Sequence, residues 1–344
     1  MFVHLKRPAR MIKLPLTAVV TLLALGLTGC GASQSSSPTG QNDEVKLSLD
    51  WSTYVPYHAP FIVAEEEGIF AKHGISVTES LAAGSKDAVL AVGTNQADIA
   101  WADLSTAASS MLADLPIKAV ATVQEQNASG ITVLEKTKFD SAQDVVGLRI
   151  GSTPGGSDST LIGAFLKKNG IAKDQVEIVN LPSNGKFAAL MTGKVDAISG
   201  QVYYYVSNAA LEGKTAHGKS YSEMETDTLD HGFVASDDFI SDNPEAIGKF
   251  LSAYREALEA TKADPASACK TLSEHSDGAV SAESCETQLD LWLPLTTPTN
   301  DTDWGLNDSE KWESTVDVLK THGDAEGSVP ASEMFTNELL PSTK

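Results

Sequence analysis

Ala88-Val89-Leu90-Ala91-Val92-Gly93-Thr94-Asn95-Gln96-Ala97-Asp98-Ile99-Ala100 reads as a helix, a glycine-containing turn, an aspartate and a small buried strand. The same grammar returns in Phe187-Ala188-Ala189-Leu190-Met191-Thr192-Gly193-Lys194-Val195-Asp196-Ala197-Ile198. One supersecondary unit used twice implies two similar α/β lobes. Around the first copy the pattern predicts strands over 45–49, 75–80, 98–101 and 117–123. Helices over 60–67, 86–92 and 106–112 alternate with them, and Gly68 and Gly74 act as stops. Around the second copy, strands over 148–150, 176–179 and 195–198 alternate with helices over 159–168 and 186–191. Such alternation predicts a mainly parallel sheet in each lobe.

From Asn243 the pattern is helical. Pro244 takes a first-turn position, and Phe250, Leu251, Tyr254 and Leu258 recur at helical spacing. Trp292, Trp304, Trp312, Val316 and Leu319 mark further packed helices, and aromatics at this spacing read as core. The expected division is a first lobe over 45–128 and 236–344, carrying these C-terminal helices, and a second lobe over 129–235. Chain crossings fall near 127–130 and 230–235.

The chain has 344 residues, 42% hydrophobic and 21% charged, which is globular composition. Its net charge is −21. Lys6, Arg7, Arg10 and Lys13 all lie in a short N-terminal stretch without acids. The acidic remainder would be repelled by phosphate backbones, which argues against nucleic-acid binding. The basic stretch precedes an apolar run over 14–27 and then Leu27-Thr28-Gly29-Cys30. This resembles the lipobox of bacterial lipoproteins and implies a signal peptide over 1–29, lipidation at Cys30 and a flexible tether over 30–44. The alternative is an ordinary signal peptide or a short anchor helix. The expected location is the outer face of the cell membrane, reached by export and held by the N-terminal lipid alone. Cys269 and Cys285 remain as an even pair, read as a disulfide in an oxidising compartment. Two buried free thiols are the other reading.

Leu49-Asp50-Trp51, Tyr57-His58-Ala59-Pro60-Phe61-Ile62-Val63-Ala64, Gly68-Ile69-Phe70 and His73-Gly74-Ile75-Ser76-Val77 follow one another near the start of the body. Leu115-Pro116-Ile117-Lys118-Ala119-Val120-Ala121, Ser141-Ala142-Gln143-Asp144-Val145-Val146-Gly147-Leu148-Arg149-Ile150-Gly151 and Met191-Thr192-Gly193-Lys194-Val195-Asp196-Ala197 come later. In this order, over 45–205, they resemble ABC-transporter substrate-binding proteins for thiamine pyrimidine precursors, alkanesulfonates, taurine and nitrate. The resemblance implies an α/β fold of the type II periplasmic-binding-protein kind, with two lobes and a hinged cleft. It also implies a small-molecule ligand, an ABC permease with its ATPase as partners, a monomer, and no cofactor or metal.

In such a fold the ligand sits where strands end and helices begin. The candidates are Asp50 and Trp51 after the first strand, with Tyr57 and His58 close behind. Gly84 and Ser85 precede the second helix, and Asp103 and Ser105 follow the third strand. Thr153, Gly155 and Ser157 form a turn that lacks the Gly-Lys-Ser/Thr of a P-loop and the third glycine of a dinucleotide fingerprint. Its other reading is a plain strand-to-helix turn. Gln201, Tyr203 and Tyr204 stand at the far end of the second lobe, and at least one of Tyr203, Tyr204 and Tyr205 is expected to pack inward. His58 could equally cap the following helix. Aromatics at strand ends of both lobes favour a flat ring stacked on Trp51. In the thiamine-precursor branch, a Trp at this position stacks on the pyrimidine, and the Asp-Trp…His pattern is similar.

Arginine is scarce: beyond the N-terminal stretch only Arg149 and Arg255 remain, one inside a predicted strand and one inside the tail helix. Sulfonate, nitrate and carboxylate sites commonly use its fork. The expected ligand is therefore a flat heterocycle such as a thiamine pyrimidine precursor. An alkanesulfonate, taurine, nitrate or another small anion held by helix N-termini is the alternative. A pyrimidine-synthesising enzyme is the second alternative. The family resembles a eukaryotic synthase with an active-site histidine and a cysteine-rich iron motif, but here the cysteines are few and lie in the tail. No Gly-x-Ser-x-Gly or His-Glu-x-x-His motif appears, so the expectation is that the chain is not an enzyme.

Overall fold

The computed structural model describes residues 42–297 and 303–341. The expected signal peptide over 1–29, the expected lipidation at Cys30 and all but the end of the expected 30–44 tether lie outside the described residues.

The chain lays down β1 (Asp43–Leu49), a 3-10 turn (Pro56–His58), α1 (Ala59–Glu66), α2 (Ile69–Lys72), β2 (Ile75–Leu81), α3 (Ser85–Gly93), β3 (Ile99–Asp103), α4 (Leu104–Leu112) and β4 (Ile117–Thr122). The first strand thus begins at Asp43, inside the expected tether. The second lobe follows with β5 (Ser129–Leu134), β6 (Arg149–Ser152), α5 (Ser157–Lys168), β7 (Glu177–Asn180), α6 (Lys186–Met191), β8 (Ala197–Gln201), α7 (Val202–Leu211) and β9 (Ala216–Ser220). The chain then returns through β10 (His231–Ser236), α8 (Asp237–Asp242), α9 (Pro244–Ala263), α10 (Pro265–His275), α11 (Ala282–Trp292) and α12 (Ser309–Thr321).

The sheets run β2-β1-β3-β10-β4 and β7-β6-β8-β5-β9, one arrangement built twice. β1 is parallel to β2 and β3, and β6 is parallel to β7 and β8, as the alternation requires. β10 and β5 are antiparallel to both of their neighbours. These strands enter from the other lobe through a crossing rather than through a βα connection; the other four strands of each sheet share one direction, so the expectation of mainly parallel sheets holds with one inserted exception in each. Because β10 belongs to the first sheet, the stretch over 231–235 sits in the first lobe, and the expected boundary of 235 moves back to the segment before His231.

The repeated unit has a physical basis. Asp98 and Asp196 stand just before β3 and β8, the third strand of each sheet order. Asp98 accepts the Lys46 amide at 2.7 Å and returns its own amide to the Lys46 carbonyl at 2.8 Å. Asp196 does the same with Arg149, at 3.0 and 2.9 Å. In both lobes the aspartate binds the backbone amide just where the pairing with the next strand begins, a donor the ladder would otherwise leave open.

The tail packs back on the first lobe, where Phe250, Leu251, Tyr254, Trp292 and Trp304 share one core with Val45, Leu47 and Phe61. Trp312 and Leu319 join a second core, on the other face of the same sheet, with Ala100, Ala102 and Val234. A disulfide links Cys269 in α10 to Cys285 in α11, with Cα atoms 5.4 Å apart.

Candidate functional site

The ends of β1 and β6 and the starts of α3 and α5 face one another. Asp50, Trp51, Gly84 and Ser85 of the first lobe meet Thr153, Gly156, Ser157, Asp158 and Ser183 of the second around a narrow cleft. The lobes touch along its rim. Ser52 Oγ lies 2.9 Å from Ser183 Oγ, and the Lys86 amide donates to the Gly155 carbonyl at 3.0 Å. Gly84 lies close against the same segment: a Cβ there would stand 2.9 Å from the Gly155 carbonyl oxygen. Gly155 has φ +77°, so it turns its carbonyl towards Lys86 in a conformation that suits glycine.

Trp51 is half-buried, with its ring centroid 6.1 Å from that of Tyr204 across the cleft. The Lys186 ammonium lies 5.7 Å from the Trp51 centroid and 5.7 Å from that of Tyr205, a cation–π arrangement spanning the lobes. Lys186 is fully buried, donating to Asp158 Oδ2 at 2.9 Å and to the Ser199 carbonyl at 2.8 Å. The three tyrosines divide the work: Tyr204 faces Trp51, Tyr205 is core, and Tyr203 lines a separate groove beside the chain crossings.

Asp50 is the most elaborately held side chain of the site. Its Oδ2 accepts from Ser85 Oγ at 2.9 Å and faces His231 Nε2 at 2.8 Å, while Oδ1 accepts from the Tyr57 hydroxyl at 3.2 Å. Burial opposes its ionisation, yet His231, with help from His58, holds the carboxyl well below the usual carboxylate range. His231 Nδ1 contacts Asp230 Oδ1 in turn. Burial disfavours its charge too, but Asp50 and Asp230 push it well above the usual histidine value.

Several expected ligand residues lie behind the cleft surface. His58 is fully buried, its Nδ1 accepting from the Val55 amide at 3.4 Å and its Nε2 3.8 Å from Asp50 Oδ1, so it braces Asp50 from behind. Burial lowers its proton affinity. Tyr57 packs edge-on against His58 with centroids 4.7 Å apart, and it too supports Asp50. Asp103 is the N-cap of α4, accepting from the Thr106 amide at 2.7 Å and from Ser105 Oγ, so both Asp103 and Ser105 are structural. Gln201 is buried at the crossing, 3.2 Å from Asp230. Gly155 contributes its carbonyl to the rim.

Asp158, Lys186, Asp230 and His231 were not among the expected site residues. Their partners are remote in sequence, as with Asp50 and His231 at a separation of 181 residues. A local signal existed in Asp230-His231, an acid and a base opening an otherwise apolar strand. Arg149 pairs with Asp196 at 2.8 Å, and Arg255 lies over the Trp304 ring, so neither lines the cleft.

Among the described residues one group brings metal-type donors together: Glu65, Glu79 and His275, within 4.8 Å of one another. It shares no residue with the cleft. His275 is already engaged by Glu66 at 3.1 Å and by the Tyr54 hydroxyl at 3.2 Å.

The family model described as NMT1/THI5 like matches residues 55–268. A formylaminopyrimidine-binding protein of Halalkalibacterium halodurans is 23% identical over 323 residues, 92% of this chain and 96% of the relative. A 4-amino-5-hydroxymethyl-2-methylpyrimidine phosphate synthase of Uromyces fabae is 25% identical over 65% of this chain and 68% of its own. Among solved structures, the alkanesulfonate-binding protein of Xanthomonas axonopodis pv. citri bound to MOPS aligns with a TM-score of 0.69 at 17% identity. That alignment covers 86% of this chain and 99% of that one, and it shows the two-lobe periplasmic-binding-protein fold.

Proposed function

Because the chain belongs to the NMT1/THI5-like family, we propose that it is the extracytoplasmic solute-binding component of an ABC importer, capturing a small flat heterocycle of the aminopyrimidine type. The observation that carries this reading is the pairing of Trp51 with the buried, ionised Asp50 in one cleft, with Tyr204 facing from the other lobe. A ring stacks on the indole, and its amino edge donates to a carboxylate. Without such pairing, burial of that polar edge would cost free energy. Thr153 Oγ1, buried with no protein partner, is a second acceptor or donor for the ligand.

The rival is a small anion. The starts of α3 and α5 both point into the cleft, and helix N-termini attract anions. Here, however, each already faces a carboxylate: Asp50 accepts from Ser85, and Asp158 stands in the first turn of α5. The helix dipoles are thus partly compensated before a ligand arrives, and among the described residues no arginine lines the cleft. The synthase reading finds little support: of the three cysteines, Cys269 and Cys285 are bonded to each other and unable to supply thiolates. In the proposed role the chain is a monomer, anchored by lipid at Cys30 on the outer face of the cell membrane, and it delivers ligand to a permease and its ATPase.

The test is a titration of intrinsic tryptophan fluorescence with 4-amino-5-aminomethyl-2-methylpyrimidine, taurine and an alkanesulfonate. The pyrimidine should bind and raise the melting temperature without being consumed. Tight binding of a non-aromatic anion, unaffected by Trp51→Ala, overturns the ligand and leaves the transport role. Turnover of the pyrimidine overturns the binding-protein role.

A further inference from the structure

His231 bridges two carboxylates. Nε2 lies 2.8 Å from Asp50 Oδ2, and Nδ1 contacts Asp230 Oδ1. A neutral imidazole has one N–H and could satisfy only one of them, so the geometry calls for the imidazolium. Asp230 is the junction of both chain crossings. Its Oδ2 accepts from Gln124 Nε2 at 2.7 Å, from the Ala128 amide at 2.8 Å and from Gln201 Nε2 at 3.2 Å. Gln201 ends β8 and is followed directly by α7, which carries Tyr203 and Tyr204. A continuous polar path therefore runs from the cleft carboxylate of the first lobe, through the crossings, to the helix that presents an aromatic ring to Trp51 in the second.

We propose that His231 is a positioning residue that holds Asp50 ionised and correctly aimed for the ligand, and that Asp230 and Gln201 tie this carboxylate to the placement of α7. The proposal rests on the cleft being the ligand site. Without the imidazolium, Asp50 and Asp230 would be two buried like charges, and burial would drive Asp50 to take up a proton. The other titratable groups around His231 do not replace it. His58 is kept neutral by burial, Asp103 at the end of β3 is a further acid, and Tyr57 and Tyr203 are held un-ionised by burial.

The test uses the full chain and two variants, His231→Gln and Asp230→Asn. Nitrogen NMR of the imidazole rings should show both His231 nitrogens protonated at pH 8 in the parent and one deprotonated in Asp230→Asn. Affinity for 4-amino-5-aminomethyl-2-methylpyrimidine is then measured against pH, as the ratio of variant to parent, which cancels the probe's own titration. Each unit by which Asp50 rises towards the working pH enters that ratio as up to about tenfold. His231→Gln should therefore bind several-fold more weakly at pH 5.5 than at pH 8 relative to the parent, whereas Asp230→Asn, whose imidazole takes its proton back as pH falls, should show a ratio no lower at pH 5.5 than at pH 8. A His231→Gln variant that loses affinity equally at both values has only a structural defect, which overturns the proposal. If His231→Gln does not fold, Asp230→Asn still tests the proposal, since a ratio for it that falls at pH 5.5 overturns it. A His231 that is neutral in the parent at pH 8 also overturns it. If the probe fails to bind the parent, the ligand assignment falls, and the NMR result still decides the state of His231.

Discussion

Trp51 and Tyr204 belong to different lobes, yet their ring centroids lie 6.1 Å apart with planes inclined at 58°. In the proposed role this tilted pair would select ligand shape, because a flat ring held between the two would be contacted by both lobes at once. Trp51→Ala should weaken pyrimidine binding roughly ten- to a hundredfold, about 1.4 to 3 kcal/mol. Tyr204→Ala should act in the same direction with a smaller loss. Isothermal titration checks both.

Gly84 tests closure separately from the chemistry. Its φ is 176°, extended backbone that any residue adopts, so the penalty of an added Cβ comes almost wholly from the contact with the Gly155 carbonyl at 2.9 Å across the cleft. Gly84→Ala should enlarge the radius of gyration in small-angle scattering with ligand present and lower affinity. Its urea midpoint without ligand should change little.

Lys186 and Asp158 form an ion pair whose side chains are 1% and 4% exposed. Lys186→Met leaves a buried carboxylate unpaired and should cost about 3 to 5 kcal/mol in denaturant unfolding. Adding Asp158→Asn should recover part of that loss. A double variant no more stable than the single one would show that the pair is not coupled.

Burial, and after it the neighbouring Asp230, push Asp103 up to about 6. A carboxyl raised in the folded state costs stability when ionised. Its contribution therefore falls as pH rises from the ordinary 3.8 to about 6 and stays at its least favourable above that. Carbon NMR should give Asp103 a midpoint near 6. Asp230→Asn should move that midpoint down, though not to the ordinary value, because the burial remains.

The βα units were legible because each strand and helix is specified locally. The apolar runs that became β1, β2, β3 and β4 are closed by glycine or capped by side chains such as Asp103. The strands that complete the sheets were harder to see. Ser129–Leu134 and His231–Ser236 lie at the crossings, and nothing within either run says that it will be inserted antiparallel between two strands of another segment. The site divided in the same way. Asp50, Trp51, Gly84, Ser85, Thr153 and Ser157 were readable from their place at element ends, and all six line the cleft. Lys186 and His231 were not, because a lysine at a helix start and a histidine at a strand start look like ordinary surface residues until the second lobe or the crossing covers them.

The insertion of β10 between β3 and β4 also dictates an order of assembly. All five strands of the second sheet lie in one continuous stretch ending at Ser220, so that sheet can close as soon as the stretch has emerged. The first sheet must wait with β4 unattached until His231–Ser236 arrives, which gives it the longer-range pairings. A chain made in order can therefore complete the second sheet while the first still lacks β10, with the edges of β3 and β4 that it will fill left unpaired, and open strand edges of that kind favour aggregation.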